Sequence, residues 1–249
     1  MLIDVYDFDG TIYDGDSTVD LVLFCLRRHP ALLTGLPGML PRLVGALTGR
    51  LSLTAFKTAL FTRMAARIDL AAESELFWLD ARTQAKLGKW FEQTPRDLPI
   101  VIASASPEFE LRHAAKLLGV DTLIGTRANA ETGELIGKNC KGAEKIRRIG
   151  EAIGPFTVRA MYTDSVKSDG PLLDMAQEKY LVRHGTVQKL PDDFKAGRYA
   201  RSEEGSLRDN VPQTPFFVLQ SILYFPGDSR CRISKPFERL PLSLICPLR

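Results

Sequence analysis

The feature that most constrains this chain is a recurring one. Short apolar segments that read as buried strands are each followed by a polar or acidic turn, and helical stretches separate the later ones. Residues 2–6, 100–103, 120–124, 158–162 and 180–182 have this character. Ser106-Pro107-Glu108 has the form of a helix start, with Ser as N-cap, Pro at the first helical position and an acid in the first turn. A second helix is expected over 142–153, stopped by Gly154-Pro155, and a third after Gly170-Pro171. Strands alternating with helices predict a parallel α/β sheet, here a Rossmann-like three-layer α/β/α sandwich.

The interval between the first two strands is too long for a simple crossover, which needs only a dozen or so residues. Residues 20–28, 53–68 and 73–91 read as helices, and no convincing strand lies among them. The expected organisation is an α/β core of residues 1–14 and 96–195 with an inserted α-helical cap over 15–95, seated above the carboxyl edge of the sheet. Residues 131–134, Glu-Thr-Gly-Glu, read as a tight turn between extended pieces at 127–130 and 135–137. From 196 to 249 the chain turns rich in Pro and Ser, and its apolar run at 216–225 lacks helical caps. This part is read as an appended tail.

The chemistry concentrates at strand ends. The first strand runs into Asp7-Phe8-Asp9-Gly10-Thr11. Carboxylates one residue apart point to the same side of an extended strand, and they repel unless a cation or a proton is shared. In open α/β sheets ligands bind beyond the carboxyl ends of the strands. Ser104 ends the second strand, just before a helix whose first amides suit a phosphate. Lys141 opens the helix after Asn139-Cys140, where a cation opposes the helix dipole and calls for an anionic partner. Lys145 lies one turn further on the same face and is the competing candidate. Asp164 ends the fourth strand and Asp169 follows five residues later. Such acids suit a hard cation held by oxygen ligands, although Asp169 also reads as a helix N-cap.

Taken in order, these motifs resemble the haloacid dehalogenase superfamily over about residues 2–190. The helical insertion and Asn139-Cys140-Lys141-Gly142 resemble its phosphoserine-phosphatase-like branch. The resemblance implies a phosphatase that forms an aspartyl-phosphate on Asp7. It makes Asp9 the general acid and base, has Ser104 bind phosphoryl oxygens and has Lys141 neutralise charge. It places Mg²⁺ on Asp7, the Asp9 carbonyl and Asp164, with Asp169 supporting the cluster from its edge. Family members lacking the second Asp tend to be dehalogenases or ATPases, so the pair favours phosphoester chemistry. The sequence departs from the branch in its Asp-x4-Asp spacing and in having Thr163 where Gly is commoner. Asp16 falls where phosphoserine phosphatases carry a cap glutamate; Arg63 and Arg67 are candidate substrate contacts on one helix face of the cap, with solvated arginines the preferred reading.

The implied substrate is a small phosphate ester. The alternatives are a phosphomutase, a lipid-phosphate phosphatase and a non-catalytic phosphate-binding protein. A net charge of +3 is too mild for a nucleic-acid partner. The four cysteines form no CxxC pair, which argues against zinc and a disulfide framework. The N-terminus has acids at Asp4 and Asp7 and no basic leader pattern, so a cytoplasmic location is expected. The apolar, Pro- and Gly-rich stretch 32–51 suits a packed cap in preference to contact with a membrane surface.

Overall fold

A computed structural model describes residues 1–35 and 37–199. A six-stranded sheet has the order β3-β2-β1-β4-β5-β6. Its strands are β1 (Leu2–Tyr6), β2 (Ile100–Pro107), β3 (Thr122–Thr126), β4 (Thr157–Thr163), β5 (Glu178–Arg183) and β6 (Thr186–Lys189). The first five are parallel and β6 returns antiparallel at the edge. The β5–β6 reversal at His184-Gly185 has positive φ at both residues, 47° and 74°, as a two-residue hairpin turn requires.

Alternation along the strands divides the core between two faces. Ile3, Val5, Val101, Ala103, Val158 and Met161 point one way and pack against α8 (Ala143–Ile153) and α9 (Val166–Met175) through Ile149, Leu172 and Leu173. Tyr6, Ile100, Ile102, Ala160 and Tyr162 point the other way, toward Phe109, Leu111 and Ala114 of α7 (Glu108–Leu117). Tyr6, Tyr162 and Tyr180 occupy paired register positions on this face and stack at centroid spacings of 4.5 and 4.4 Å. The result is the three-layer α/β arrangement expected. The register slips at Ile3/Asp4, leaving Arg159 as the extra residue of β4. Arg159 spans Asp4 and Asp97, and so pairs the buried Asp4 carboxylate.

Between β1 and β2 the chain is helical. It forms α1 (Ser17–Arg28), two 3-10 turns (Pro30–Gly35 and Pro37–Met39), α2 (Leu40–Leu47), α3 (Leu53–Ala65), α4 (Leu70–Leu79), α5 (Ala81–Gln84) and α6 (Lys89–Glu92). Side chains cap most of these helices. Asp16, Ser52, Asp69 and Asp80 accept from backbone N–H groups at the starts of α1, α3, α4 and α5. The Asp80 cap and Gly88 break the expected helix over 73–91 into three pieces. Leu21, Cys25, Phe61, Met64, Phe77 and Trp78 from this region share one apolar cluster with Tyr6 and Phe109. The insertion is therefore packed onto the sheet and α7 as part of one core. Arg67, read from the sequence more readily as a solvated arginine than as a substrate contact, is exposed and donates to the Ala31 carbonyl and Thr34, tying the 3-10 turn to the chain just after α3. Arg63 is likewise exposed.

Other boundaries move for local reasons. The third strand starts at Thr122, because Gly119 (φ 62°) turns the chain and Asp121 is spent accepting from the Ile100 N–H. β2 runs on to Pro107, so Pro107 and not Ser106 precedes α7, with no side-chain cap. α9 begins at Val166 under a Ser165 cap, with Pro171 inside it, which removes the N-cap role from Asp169. The extended pieces around 131–134 meet at an Ala128–Leu135 bridge. The chain beyond β6 does not all leave the core. Ala196 of α10 (Ala196–Tyr199) is buried against α9 and donates its N–H to Asp174. The remainder of the expected tail, 200–249, lies outside the described residues. No helix among the described residues is long and apolar enough to cross a membrane.

Candidate active site

The strand order reverses between β1 and β4, the place where open α/β sheets form a crevice beyond their carboxyl ends. Asp7 follows β1 there, with its N–H bonded to the Tyr162 carbonyl of β4, and Asp164 follows β4. Residues 8–15 fold back sharply. The Phe8 carbonyl accepts from Thr11, Ile12 and Tyr13, and the Gly10 N–H donates to Tyr13 and Gly15 carbonyls. Gly10 is required on two counts. Its φ is +71°, and a Cβ there would lie 2.4 Å from Asp164 Oδ2. The turn backbone is thus pressed against the Asp164 carboxylate.

Lys145 is the basic member of the site. Its Nζ lies 2.8 Å from Asp7 Oδ1 and 2.6 Å from Asp169 Oδ1, with the side chain only 2% exposed. Lys141, the first choice from sequence, is exposed and precedes the helix. The placement of the two lysines has a simple cause. Gly142, at φ 59°, turns the chain into α8, and the third helical residue lands on the inward face with Arg148 and Ile149. Asp169 is fully buried and also accepts from Thr163 Oγ1 at 2.8 Å. Thr163, unexpected by the family pattern, thereby orients the second partner of Lys145.

Asp9 is gripped at both oxygens. Oδ1 accepts from the Ser17 N–H at 2.7 Å, and Oδ2 accepts from Ser106 Oγ at 2.6 Å and from Ser104 Oγ at 3.4 Å. Ser104 Oγ in turn accepts from the Ser106 N–H at 3.1 Å. Ser104 lies inside β2, which runs on past it to Pro107, and its hydroxyl faces Asp9, while Ser106 and Ser17 are additional contacts of Asp9. The sequence pattern gives Ser106 the helix cap, and continuation of β2 frees its hydroxyl for Asp9. Asp16 caps α1 through Oδ1, and burial together with the Asp9 charge pushes its carboxyl up to about 6.

The electrostatics favour a cation. Burial pushes the Asp7 carboxyl well above the usual range, and the Asp169 and Asp164 charges push the same way against the pull of Lys145. The Lys145 ammonium is held in its charged form because Asp169 and Asp7 outweigh its loss of hydration. Asp7 and Asp169 thus share the Lys145 ammonium, and the Asp164 charge acts on the same Asp7 carboxyl. No cluster of three His, Cys, Asp or Glu side chains disposed to hold a metal occurs among the described residues. Mg²⁺ asks for less. It keeps several waters and typically binds one or two carboxylates plus substrate phosphate. Asp7 and Asp164, with the adjacent turn backbone, fit that donor set.

The chain is similar to several known proteins. Protein CicA of Caulobacter vibrioides is 30% identical over 190 residues, covering 72% of this chain and 84% of CicA. A structure of a protein of unknown function from Bordetella pertussis Tohama I has the same fold, with a TM-score of 0.56 and 23% identity over 70% of this chain and 86% of that one. A phosphoserine phosphohydrolase-like protein from Francisella tularensis overlaps at a TM-score of 0.46 and 16% identity, over 72% and 86% of the two chains. The family model for haloacid dehalogenase-like hydrolases matches residues 5–174. That stretch takes in Asp7, Asp9, Ser104, Lys145, Asp164 and Asp169, and the chain belongs to the haloacid dehalogenase-like hydrolase family.

Proposed function

We propose that this protein is a Mg²⁺-dependent phosphomonoester hydrolase that acts on a small phosphorylated metabolite and takes the phosphoryl group on Asp7. The observation that carries the reading is the buried Lys145–Asp7 contact of 2.8 Å, set beside a second carboxylate, Asp9, held at both oxygens. An ammonium in contact with a buried carboxylate opposes its protonation and so favours the nucleophilic form, and a separate carboxyl does the proton work. In this reading residues 1–14 and 96–195 form the catalytic core, and 15–95 form a cap that shapes substrate access.

The steps follow from the side chains. Asp7 attacks phosphorus in line with the ester oxygen, the ester P–O bond breaks, and an aspartyl-phosphate forms. Asp9 gives its proton to the leaving oxygen. Water then attacks the phosphoryl group, Asp9 takes its proton, and phosphate leaves with Asp7 restored. Lys145 offsets charge between Asp7 and the phosphoryl oxygens, and Asp169 fixes Lys145 in place. The Ser104 hydroxyl is offered to a phosphoryl oxygen. Asp7, Asp164 and the Asp9 carbonyl would hold Mg²⁺. When bound, the ion supplies neutralisation of phosphoryl charge, the dominant demand of this chemistry.

The test is phosphate release from p-nitrophenyl phosphate with and without Mg²⁺, for the native chain and Asp7→Asn. The expected result is release that needs Mg²⁺ and is lost in Asp7→Asn. Undiminished release by a folded Asp7→Asn chain would refute the reading.

A further inference from the structure

Glu110 lies in the first turn of α7 and is fully buried. It forms no ion pair among the described residues. Its carboxyl touches two hydroxyls, Ser17 Oγ at 2.6 Å from Oε1 and Thr18 Oγ1 at 2.9 Å from Oε2. Its carbonyl accepts from Ser74 Oγ and Trp78 Nε1, which fixes the residue from the side of the insertion. Thr18 Oγ1 lies 3.1 Å from Ser106 Oγ, and Ser106 Oγ lies 2.6 Å from Asp9 Oδ2. A continuous row of oxygens therefore runs from Glu110 to Asp9. A second arm passes through Ser17, whose hydroxyl meets Glu110 and whose N–H meets Asp9.

Counting protons decides how this row is filled. Each hydroxyl has one proton to give. With Asp9 in the carboxylate form in which it takes a proton from water, an ionised Glu110 would draw both Ser17 and Thr18 as donors while Ser106 donates to Asp9. The buried Thr18–Ser106 contact would then have no proton between its two oxygens. If Glu110 is neutral, it donates to Thr18, Thr18 to Ser106 and Ser106 to Asp9, and every contact is satisfied. The physical environment favours the second filling, because a buried carboxylate without a cationic partner is expensive. Burial, helped by the Asp9 charge, pushes the Glu110 carboxyl up to about 8 against the pull of Ser17, Lys57 and Thr18. The titratable groups around it are Asp9 and Tyr13 from the β1 turn, Cys25 of α1 and Lys57 of α3.

We propose that Glu110 is a positioning residue, a neutral carboxylic acid heading a one-way hydrogen-bond chain through Thr18 and Ser106 that orients the Asp9 carboxylate for its acid–base work. The proposal rests on the phosphatase reading for its kinetic consequence, and it is tested on the protein with and without turnover.

Infrared spectra of the native chain near neutral pH should contain the carbonyl band of a buried protonated carboxyl. Its Glu110 component, isolated as the native minus Glu110→Gln difference, should move in Ser106→Ala and fade as pH rises past about 8. In kinetics with p-nitrophenyl phosphate and Mg²⁺, Thr18→Val cuts the chain. It should lower kcat by about tenfold, with KM within about twofold, the equivalent of one well-placed hydrogen bond in the transition state. Glu110→Leu should lose as much or more. Glu110→Gln offers an N–H to Thr18 and a carbonyl to Ser17, so it should recover most of that rate and lack the alkaline fall of the native chain. Absence of that Glu110 component, or a Glu110→Gln rate as low as that of Glu110→Leu in a folded chain, would overturn the proposal. A native chain with that component but no phosphate release would count against the phosphatase reading and leave the hydrogen-bond assignment standing.

Discussion

Replacing Lys145 by Met keeps the length of the side chain and removes its charge. Two buried carboxylates, Asp7 and Asp169, lose the ammonium that lies 2.8 and 2.6 Å from them. Removing one member of a buried ion pair costs about 3–5 kcal/mol. Here one carboxyl escapes by taking up a proton, so the lower end, about 3 kcal/mol, is expected near pH 8 in chelator. For a chain of this size that is a fall in Tm of roughly 6–12 °C. The pH dependence follows from Asp7. Its folded-state pKa is already raised by burial and by Asp169 and Asp164, and loss of Lys145 raises it further. A raised folded pKa contributes stability below the unfolded value, and that contribution is lost as pH rises through the folded one. The gap between native and Lys145→Met chains should therefore be small near pH 5 and widen toward about pH 8. Thermal and urea unfolding across this range provide the assay. Lys141→Met, an exposed change, should stay within about 0.5 kcal/mol of native. A Lys145→Met cost below about 1 kcal/mol and flat with pH, or an equal cost for Lys141→Met, would refute this account of the site.

Other consequences are as concrete. Mg²⁺ at a hundred times its Kd should stabilise the native chain by about 2.7 kcal/mol, and Asp164→Asn should lose most of that thermal shift. Gly10→Ala drives a Cβ to 2.4 Å from Asp164 Oδ2, and the displaced carboxylate should lower kcat/KM by about a hundredfold in a chain that still folds. Arg159→Met strands the buried Asp4 carboxylate away from the site. It should lower stability by about 2–3 kcal/mol, read by urea unfolding, with kcat unchanged.

What the sequence disclosed, and what it withheld, follows from the range of the interactions. Asp7, Asp9, Ser104 and Asp164 were legible because each sits at the end of an apolar run, and parallel strands bring such ends to one edge. The insertion was legible from its length and helical pattern, although Asp80 and Gly88 broke its last helix by caps that look like interior residues. Lys145 needed helix phase, which depends on where Gly142 lets α8 begin. Its spacing of three and four from Arg148 and Ile149 was the available signal. Ser17, Thr18 and Glu110 were not legible as site residues. Their hydrogen bonds cross more than 90 residues of chain, and each has an ordinary local reading as helix-start hydroxyls or a first-turn acid. β6 escaped because its residues are exposed on both faces and carry no alternation.

The central claim is that Asp7 becomes covalently phosphorylated during turnover. The most direct measurement is acid quench of the native chain turning over p-nitrophenyl phosphate with Mg²⁺, followed by peptide mass spectrometry. A phosphoryl group on the Asp7 side chain, absent from Asp7→Asn, is the predicted result. Steady phosphate release with no covalent phosphoryl group, or with the group on another residue, would contradict it.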